Sequence, residues 1–299
     1  MKARRLVAAI GSLVAVACVL FPLAQATSAR KRVKIGRNTP VVKGSGYLAL
    51  GDSVTFGFQE ATVVPPPNYR KASSFANYPM MAGKQLRLRV TNAACPGETS
   101  ASFINTSAQS YGCENFPGTN FGYRKLYPLH VRYKGSQLAF AIRFLRRHRG
   151  VRLVSLMIGA NDVFLCEKTT KDACLNPAEL KAVFTRVEKN VRRILLAVRK
   201  RARYRGQIIL VHYFSPNSNS ALFNAVAKTL NTAMDRGARG LGVRKADGYG
   251  AFQTATRIFG GNTCRAGLVT LLRGGSCGVH PTYAGHALLA QALIKGIRI

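Results

Sequence analysis

GYLALGDSV, residues 46–54, joins a short apolar run, Tyr47–Leu50, to the turn Gly51-Asp52-Ser53-Val54. An apolar run of this length bounded by Gly and Asp reads as a buried strand followed by a sharp change of direction. Ser53 is then expected on a strand-to-helix turn, at the carboxyl end of the strand and near a helix N-terminus. A hydroxyl is exposed there, and negative charge that develops beside it is stabilised. Asp52 is expected to stabilise the turn through its own side chain.

Outward from this stretch, strand-like and helix-like segments alternate. A Pro-rich loop at Pro65–Pro67 leads to a helix near Ser74–Leu86 and a strand over Leu88–Ala93. After a long loop, Leu138, Ile142 and Leu145 recur at helical spacing within Ser136–His148, and Val151–Ile158 reads as the third strand. Asn176 as N-cap and Pro177 at the first helical position open the clearest helix, whose apolar face runs from Leu180 to Val198. Its polar face, with Lys181, Arg186, Lys189, Arg192, Arg193 and Lys200, reads as a solvated surface. Gln207–Phe214 is the fourth strand, Ala221–Met234 a helix, Val243–Tyr249 a weaker fifth strand, and Tyr283–Ile297 the closing helix. The alternation predicts an α/β protein, a single-domain three-layer α/β/α sandwich with a five-stranded, mainly parallel sheet. Ligands in such sheets bind at the carboxyl ends of the strands.

The first residues have the form of an export signal: Lys2, Arg4 and Arg5, an apolar run over Leu6–Leu23, and small residues at Ala24-Gln25-Ala26. Residues 1–26 are therefore expected to be removed, with Ala29 the alternative cleavage position, and an uncleaved membrane anchor is the competing reading. Cys18 does not sit in a lipoprotein pattern. Residues 30–45, basic and without hydrophobic periodicity, read as a flexible leader, and 46–299 as the folded domain. Export agrees with the six remaining cysteines, an even set that suggests three disulfides in an oxidising compartment. Of the fifteen connectivities open to six cysteines, sequential pairing encloses the shortest loops: Cys95 with Cys113, Cys166 with Cys174, and Cys264 with Cys277. No Cys-x-x-Cys pair or finger spacing supports a metal site.

The 299-residue chain carries 45 Lys and Arg against 11 Asp and Glu, a formal charge of +34. That field concentrates a protein on anionic material, an acidic membrane or a cell-wall polymer. No nucleic-acid-binding motif accompanies it, so no specific nucleic acid is expected as partner.

Three further clusters fall at the same sheet edge as Ser53: Asn92-Ala93-Ala94-Cys95-Pro96-Gly97 after the second strand, Gly159-Ala160-Asn161-Asp162 after the third, and Val279-His280-Pro281 before the last helix. Alone, each has a plainer explanation, a turn glycine or a capping asparagine. Together and in this order they resemble the serine, glycine, asparagine and histidine blocks of the SGNH (GDSL-like) hydrolases, from Tyr47 onward. The resemblance implies a flavodoxin-like fold and a secreted serine esterase or lipase without cofactor. Ser53 is the implied nucleophile and His280 its base, with an oxyanion hole from the Ser53 and Gly97 amides and the Asn161 side chain. Members of the family commonly carry an aspartate three residues before the histidine, where this chain has Cys277. Some exported actinobacterial members use a backbone carbonyl there and share a three-disulfide arrangement. The expectation is a Ser-His dyad oriented by the Cys277 carbonyl, with Asp162 as the competing acid. His130, His148, His212 and His286 match no block and read as packing or capping residues. The expected substrate is a small-molecule or lipid ester, phospholipid included, acted on by a monomer. The alternatives are a carbohydrate deacetylase within the family, and a basic envelope- or nucleic-acid-binding module on an inactive hydrolase scaffold.

Overall fold

A computed structural model of the protein describes residues 39–299; the expected export signal and the leader as far as residue 38 lie outside them. Strand β1 (Gly46–Gly51) leads through Asp52 into the one-turn helix α1 (Ser53–Phe56), and α2 (Tyr78–Gln85) and β2 (Arg89–Asn92) follow. The short α3 (Tyr123–Leu126) precedes α4 (Gln137–Arg147), β3 (Val151–Met157), α5 (Ala160–Thr169) and α6 (Pro177–Leu196). Next come β4 (Gln207–Val211), α7 (Ala221–Ala238), β5 (Arg244–Ala246) and α8 (Gly248–Thr256). The hairpin strands β6 (Val269–Leu271) and β7 (Cys277–Pro281) run into the last helix, α9 (Tyr283–Gly296).

The main sheet has the order β2-β1-β3-β4-β5 with every neighbouring pair parallel. Its expected architecture holds: α2 and α9 cover one face, while α4, α6 and α7 cover the other. All six residues of β1 and all five of β4 are buried, as strands covered on both faces must be. From β1 the chain goes outward to β2 on one side and then crosses to β3 on the other. This reversal opens a crevice at the carboxyl ends of β1 and β3, where α/β sheets of this kind receive ligands.

The elements that follow local rules lie close to their expected positions. Asn176 caps α6, its Oδ1 accepting from Ala178 N at 2.9 Å, and Pro177 stands at the first position. Residues before α2 take a different path from the expected helix start at Ser74. One tight turn, Ala72–Ser74, breaks off, and the helix begins only after Asn77, whose Oδ1 accepts from Met80 N. The fifth strand is shorter than expected, because Asp247 accepts from Gly250 N and starts α8 within the segment assigned to it. The leader expectation fails for residues 39–45. Thr39 bridges to Gly206, Val41 is buried with its N–H on Arg298 O, and Gly44 N–H donates to Arg87 O. The sulfurs pair sequentially, Cys95–Cys113, Cys166–Cys174 and Cys264–Cys277.

Helices α6 and α7 pack side by side, and their closest approach depends on Gly237 in α7. A Cβ there would lie 2.6 Å from Glu188 O and 3.0 Å from the Val191 side chain. A helix-interior Gly→Ala change ordinarily stabilises by up to about 1 kcal/mol. Here it must push the two helices apart, so Gly237→Ala is expected to lower the thermal unfolding midpoint. A raised midpoint would show that the helices do not depend on this contact.

Candidate active site

Ser53 is the first residue of α1, so its backbone N–H is among the donors a helix start leaves without an intrahelical partner. Asp52 caps the turn as expected: one carboxylate oxygen accepts from Val54 N at 3.1 Å and the other from the Tyr213 hydroxyl. Burial pushes the Asp52 carboxyl up to about 6, against the opposing effect of these hydrogen bonds. Gly51 is needed before it. The residue has φ 152°, and a Cβ would collide with Met157 O and the Thr55 hydroxyl.

His280 sits on β7, one residue before Pro281 and the Thr282 cap of α9, and its Nε2 lies 3.0 Å from Ser53 Oγ. The other ring nitrogen, Nδ1, lies 2.8 Å from Glu60 Oε1. With Nδ1–H donated to that carboxylate, Nε2 is left free to accept from the serine hydroxyl. The Cys277 carbonyl therefore does not hold the imidazole, contrary to the expectation from sequence. Cys277 begins β7, paired with Leu271 and tied to Cys264, and the acidic partner arrives from a different part of the chain. Asp162, the competing acid, is turned to another task. It is buried and accepts from the backbone N–H and the hydroxyl of Ser100, both at 2.7 Å.

Glu60 reaches the histidine because the chain turns back after α1 and runs along the β6–β7 hairpin. Val63 bridges to Leu272 in antiparallel fashion, and Arg273 N–H donates to Thr62 O. The carboxylate is fully engaged there, accepting from Val279 N at 2.9 Å and the Thr270 hydroxyl at 2.7 Å as well as from His280. Burial works to raise its pKa. The hydrogen bond and positive charge of His280, with the Thr270 and Val279 donors, outweigh burial and hold it at about 2. Gly278 makes room, since a Cβ at that position would meet both the Thr270 hydroxyl and the Glu60 carboxylate. The Phe58 ring stands edge-on to the imidazole with centroids 5.0 Å apart.

Asn161 stands in the first turn of α5, a helix that directly follows the Gly159 turn after β3. Its Nδ2 donates to Glu98 O at 3.1 Å, which leaves the second amide hydrogen for another acceptor. Ser53, Asn161 and His280 line one cleft, of about 300 Å³. Gly97 is one residue before the Glu98 contact and does not itself line the cleft. Its φ of 76° and the proximity of Tyr111 O and Gly112 to any Cβ admit only glycine. The Gln137 side chain ties these blocks together. It accepts from Gly51 N at 2.7 Å, donates to Gly51 O at 2.9 Å and donates to Glu98 Oε2 at 3.1 Å. Burial raises the Glu98 carboxyl to about 7 despite hydrogen bonds from Ser102 and Gln137.

Three of the four remaining histidines have other partners. His130 lies on Phe56 O, His148 on Phe144 O and His212 on Asp235. His286 is buried in α9 with neither ring nitrogen hydrogen-bonded, and burial together with nearby His280 lowers it to about 3.

A hydroxyl, an imidazole and a carboxylate in series, beside an amide and a helix start, can remove a proton from serine and receive the charge of an acyl-transfer intermediate. Comparison with known proteins agrees with that chemistry. Residues 49–288 match the model of the GDSL-like lipase/acylhydrolase family, and the chain belongs to that family. It is a serine esterase of the GDSL type. Among solved structures, the acetylxylan esterase Axe2 of Geobacillus stearothermophilus is similar at 18% identity with TM-score 0.51, covering 87% of this chain and 97% of that one. A candidate GDSL-like lipase from Parabacteroides merdae is similar at 14% identity with TM-score 0.50, covering 87% and 98%. At these identities the likeness is one of fold. A search of curated protein sequences returned no match.

A carboxyl with a lowered folded-state pKa stabilises the fold above its ordinary value and stops doing so as pH falls through the lowered one. For Glu60 that window runs from 4.5 down to about 2. Glu60→Gln is accordingly expected to be less stable than the parent above pH 4.5, with the difference closing as pH falls towards about 2. Denaturant unfolding of both proteins across this range checks it, and a difference that persists unchanged at the acid end would contradict the assignment.

Proposed function

We propose that the protein is an exported carboxylic-ester hydrolase that works through an acyl-enzyme on Ser53. The observation that carries this reading is the continuous chain from Ser53 Oγ through His280 to the Glu60 carboxylate. His280 Nε2 takes the hydroxyl proton as Ser53 Oγ attacks the ester carbonyl. Glu60 fixes the ring in the tautomer that leaves Nε2 free and stabilises the imidazolium that forms. The oxyanion is received by the backbone amide of Ser53 and by Asn161 Nδ2, both at the cleft, each such donor worth roughly 3 kcal/mol in the transition state. The imidazolium then gives its proton to the departing alkoxide, and a water activated by the same ring releases the acid.

Three disulfides and the export signal of residues 1–26 support action outside the cytoplasm. The excess of basic residues supports work at an anionic surface, where local concentration rises and salt weakens the attachment. Burial of Asp52, Glu98 and Asp162 takes three of the eleven acids off the surface, whereas Arg199 is the one buried Lys or Arg among the described residues.

A p-nitrophenyl ester assay on the parent, Ser53→Ala and Glu60→Gln tests the reading. Ser53→Ala is expected to abolish serine-dependent turnover, and Glu60→Gln to lower kcat by roughly a thousandfold or more, as loss of the orienting acid does in serine proteases. Gly278→Val, which displaces the Glu60 carboxylate without altering it, should act in the same direction. Turnover that survives in Ser53→Ala would overturn the proposal.

A further inference from the structure

The cleft that opens on Ser53 and His280 extends between α5, the start of α6 and α7, and its wall is hydrocarbon. Val163, Phe164, Leu180, Phe214, Val226 and Leu230 line it. Beyond the groups at the reacting end, Glu167 is the one charged side chain on the wall among the described residues, and the Tyr213 hydroxyl is already bound to Asp52. A sugar ring would need several convergent polar groups, whereas an alkyl chain needs only apolar surface removed from water.

One side of this wall is held in an unfavourable conformation. Ala173 and Cys174, consecutive residues that both line the cleft, have φ of 54° and 60°, in the left-handed region that residues with a Cβ avoid. Such a pair persists only where its surroundings impose it. Here the Cys166–Cys174 bridge ties the loop to α5, and Thr170 Oγ1 accepts from Cys174 N at 2.7 Å. The bridge also packs against Val163 and Leu180, so it supports the cleft from behind as well as closing its side.

We propose that this cleft is the acyl-chain site for esters of medium-length fatty acids, and that the Cys166–Cys174 loop is the wall that sets chain-length preference. The inference rests on the ester-hydrolase reading. The ester carbonyl lies at Ser53 and the alkyl chain runs away from it along Val163, Leu180 and Val226. The alcohol portion stays on the open side of the catalytic residues. The bridge acts by positioning, since removing it lets Ala173 and Cys174 relax out of the left-handed region and withdraws the wall from the chain.

The test is the kcat/KM of the parent on p-nitrophenyl acetate, butyrate and octanoate. Each methylene that enters the cleft is worth about 0.8 kcal/mol, or roughly fourfold, so octanoate is expected to exceed acetate well over tenfold. In Cys166→Ala/Cys174→Ala the octanoate-to-acetate ratio is expected to drop at least tenfold. Val226→Trp fills the cleft from α7 while leaving the bridge intact, and should lower the same ratio if the bridge variant fails to fold. Acetate preferred by the parent, or a ratio unchanged in both variants, would overturn the proposal while leaving ester hydrolysis standing. Should the parent cleave no ester at all, the reading of the catalytic residues fails, and the cleft is then judged by binding alone. Ser53→Ala should bind the octanoate ester more tightly than the acetate, and equal binding would overturn the proposal.

Discussion

The contact between Glu60 and His280 fixes the arrangement of everything around it. An imidazole can accept the serine proton only if its other nitrogen keeps a hydrogen, and a carboxylate on Nδ1 secures that tautomer. A partly buried carboxylate is costly unless its oxygens are satisfied. Glu60 is satisfied by three donors from the β6–β7 hairpin, Thr270, Val279 and His280 itself. The hairpin must therefore lie against the segment after α1, which is what the Val63–Leu272 bridge and the Arg273–Thr62 hydrogen bond accomplish. Gly278 completes the fit by omission of a side chain, and the Cys264–Cys277 bridge anchors the strand that carries both.

A second constraint joins the strand ends. Gln137, at the start of α4, clasps both the N–H and the carbonyl of Gly51 and reaches Glu98, whose own carbonyl holds the Asn161 amide. One buried amide side chain thus sets the turn that presents Ser53, the loop that follows Gly97 and, through Glu98, the rotamer of Asn161. In a chain so short of acids, placing Asp52, Glu60, Glu98 and Asp162 around one sheet edge is a costly use of them. Each has specific donors there. Their concentration at this edge reflects what the local backbone turns require, while the basic residues dominate the surface.

The sheet and its edge were legible in the sequence because they follow local rules. Tyr47–Leu50, Val151–Ile158 and Gln207–Phe214 are apolar runs too short for helices, and Asn176-Pro177 is a start signal that needs no tertiary help. The same regularity located Ser53, Asn161 and His280, each one or two residues from the end of a strand or the start of a helix. Glu60 was not legible. It lies in an irregular stretch, seven positions beyond Ser53, and its role arises from a chain reversal that pairs residues more than two hundred positions apart. The position three residues before the histidine, where the family commonly carries the acid, holds Cys277. The scarcity of acids was the available hint, since few carboxylates in a strongly basic chain had to be weighed as partners for His280. Helix α8 and the β6–β7 hairpin were missed for a related reason: they are short, and their limits are set by Asp247 and by the Cys264–Cys277 bridge rather than by hydrophobic period.

A carboxylate, and not a backbone carbonyl, holds the imidazole. Proton NMR of the His280 Nδ1–H reads that acceptor directly, because a proton shared with an anionic oxygen is shifted far downfield. In the parent protein the resonance is expected at low field, and Glu60→Gln should move it upfield or remove it through exchange. An identical resonance in both proteins would mean that a main-chain oxygen is the partner, and would contradict the account.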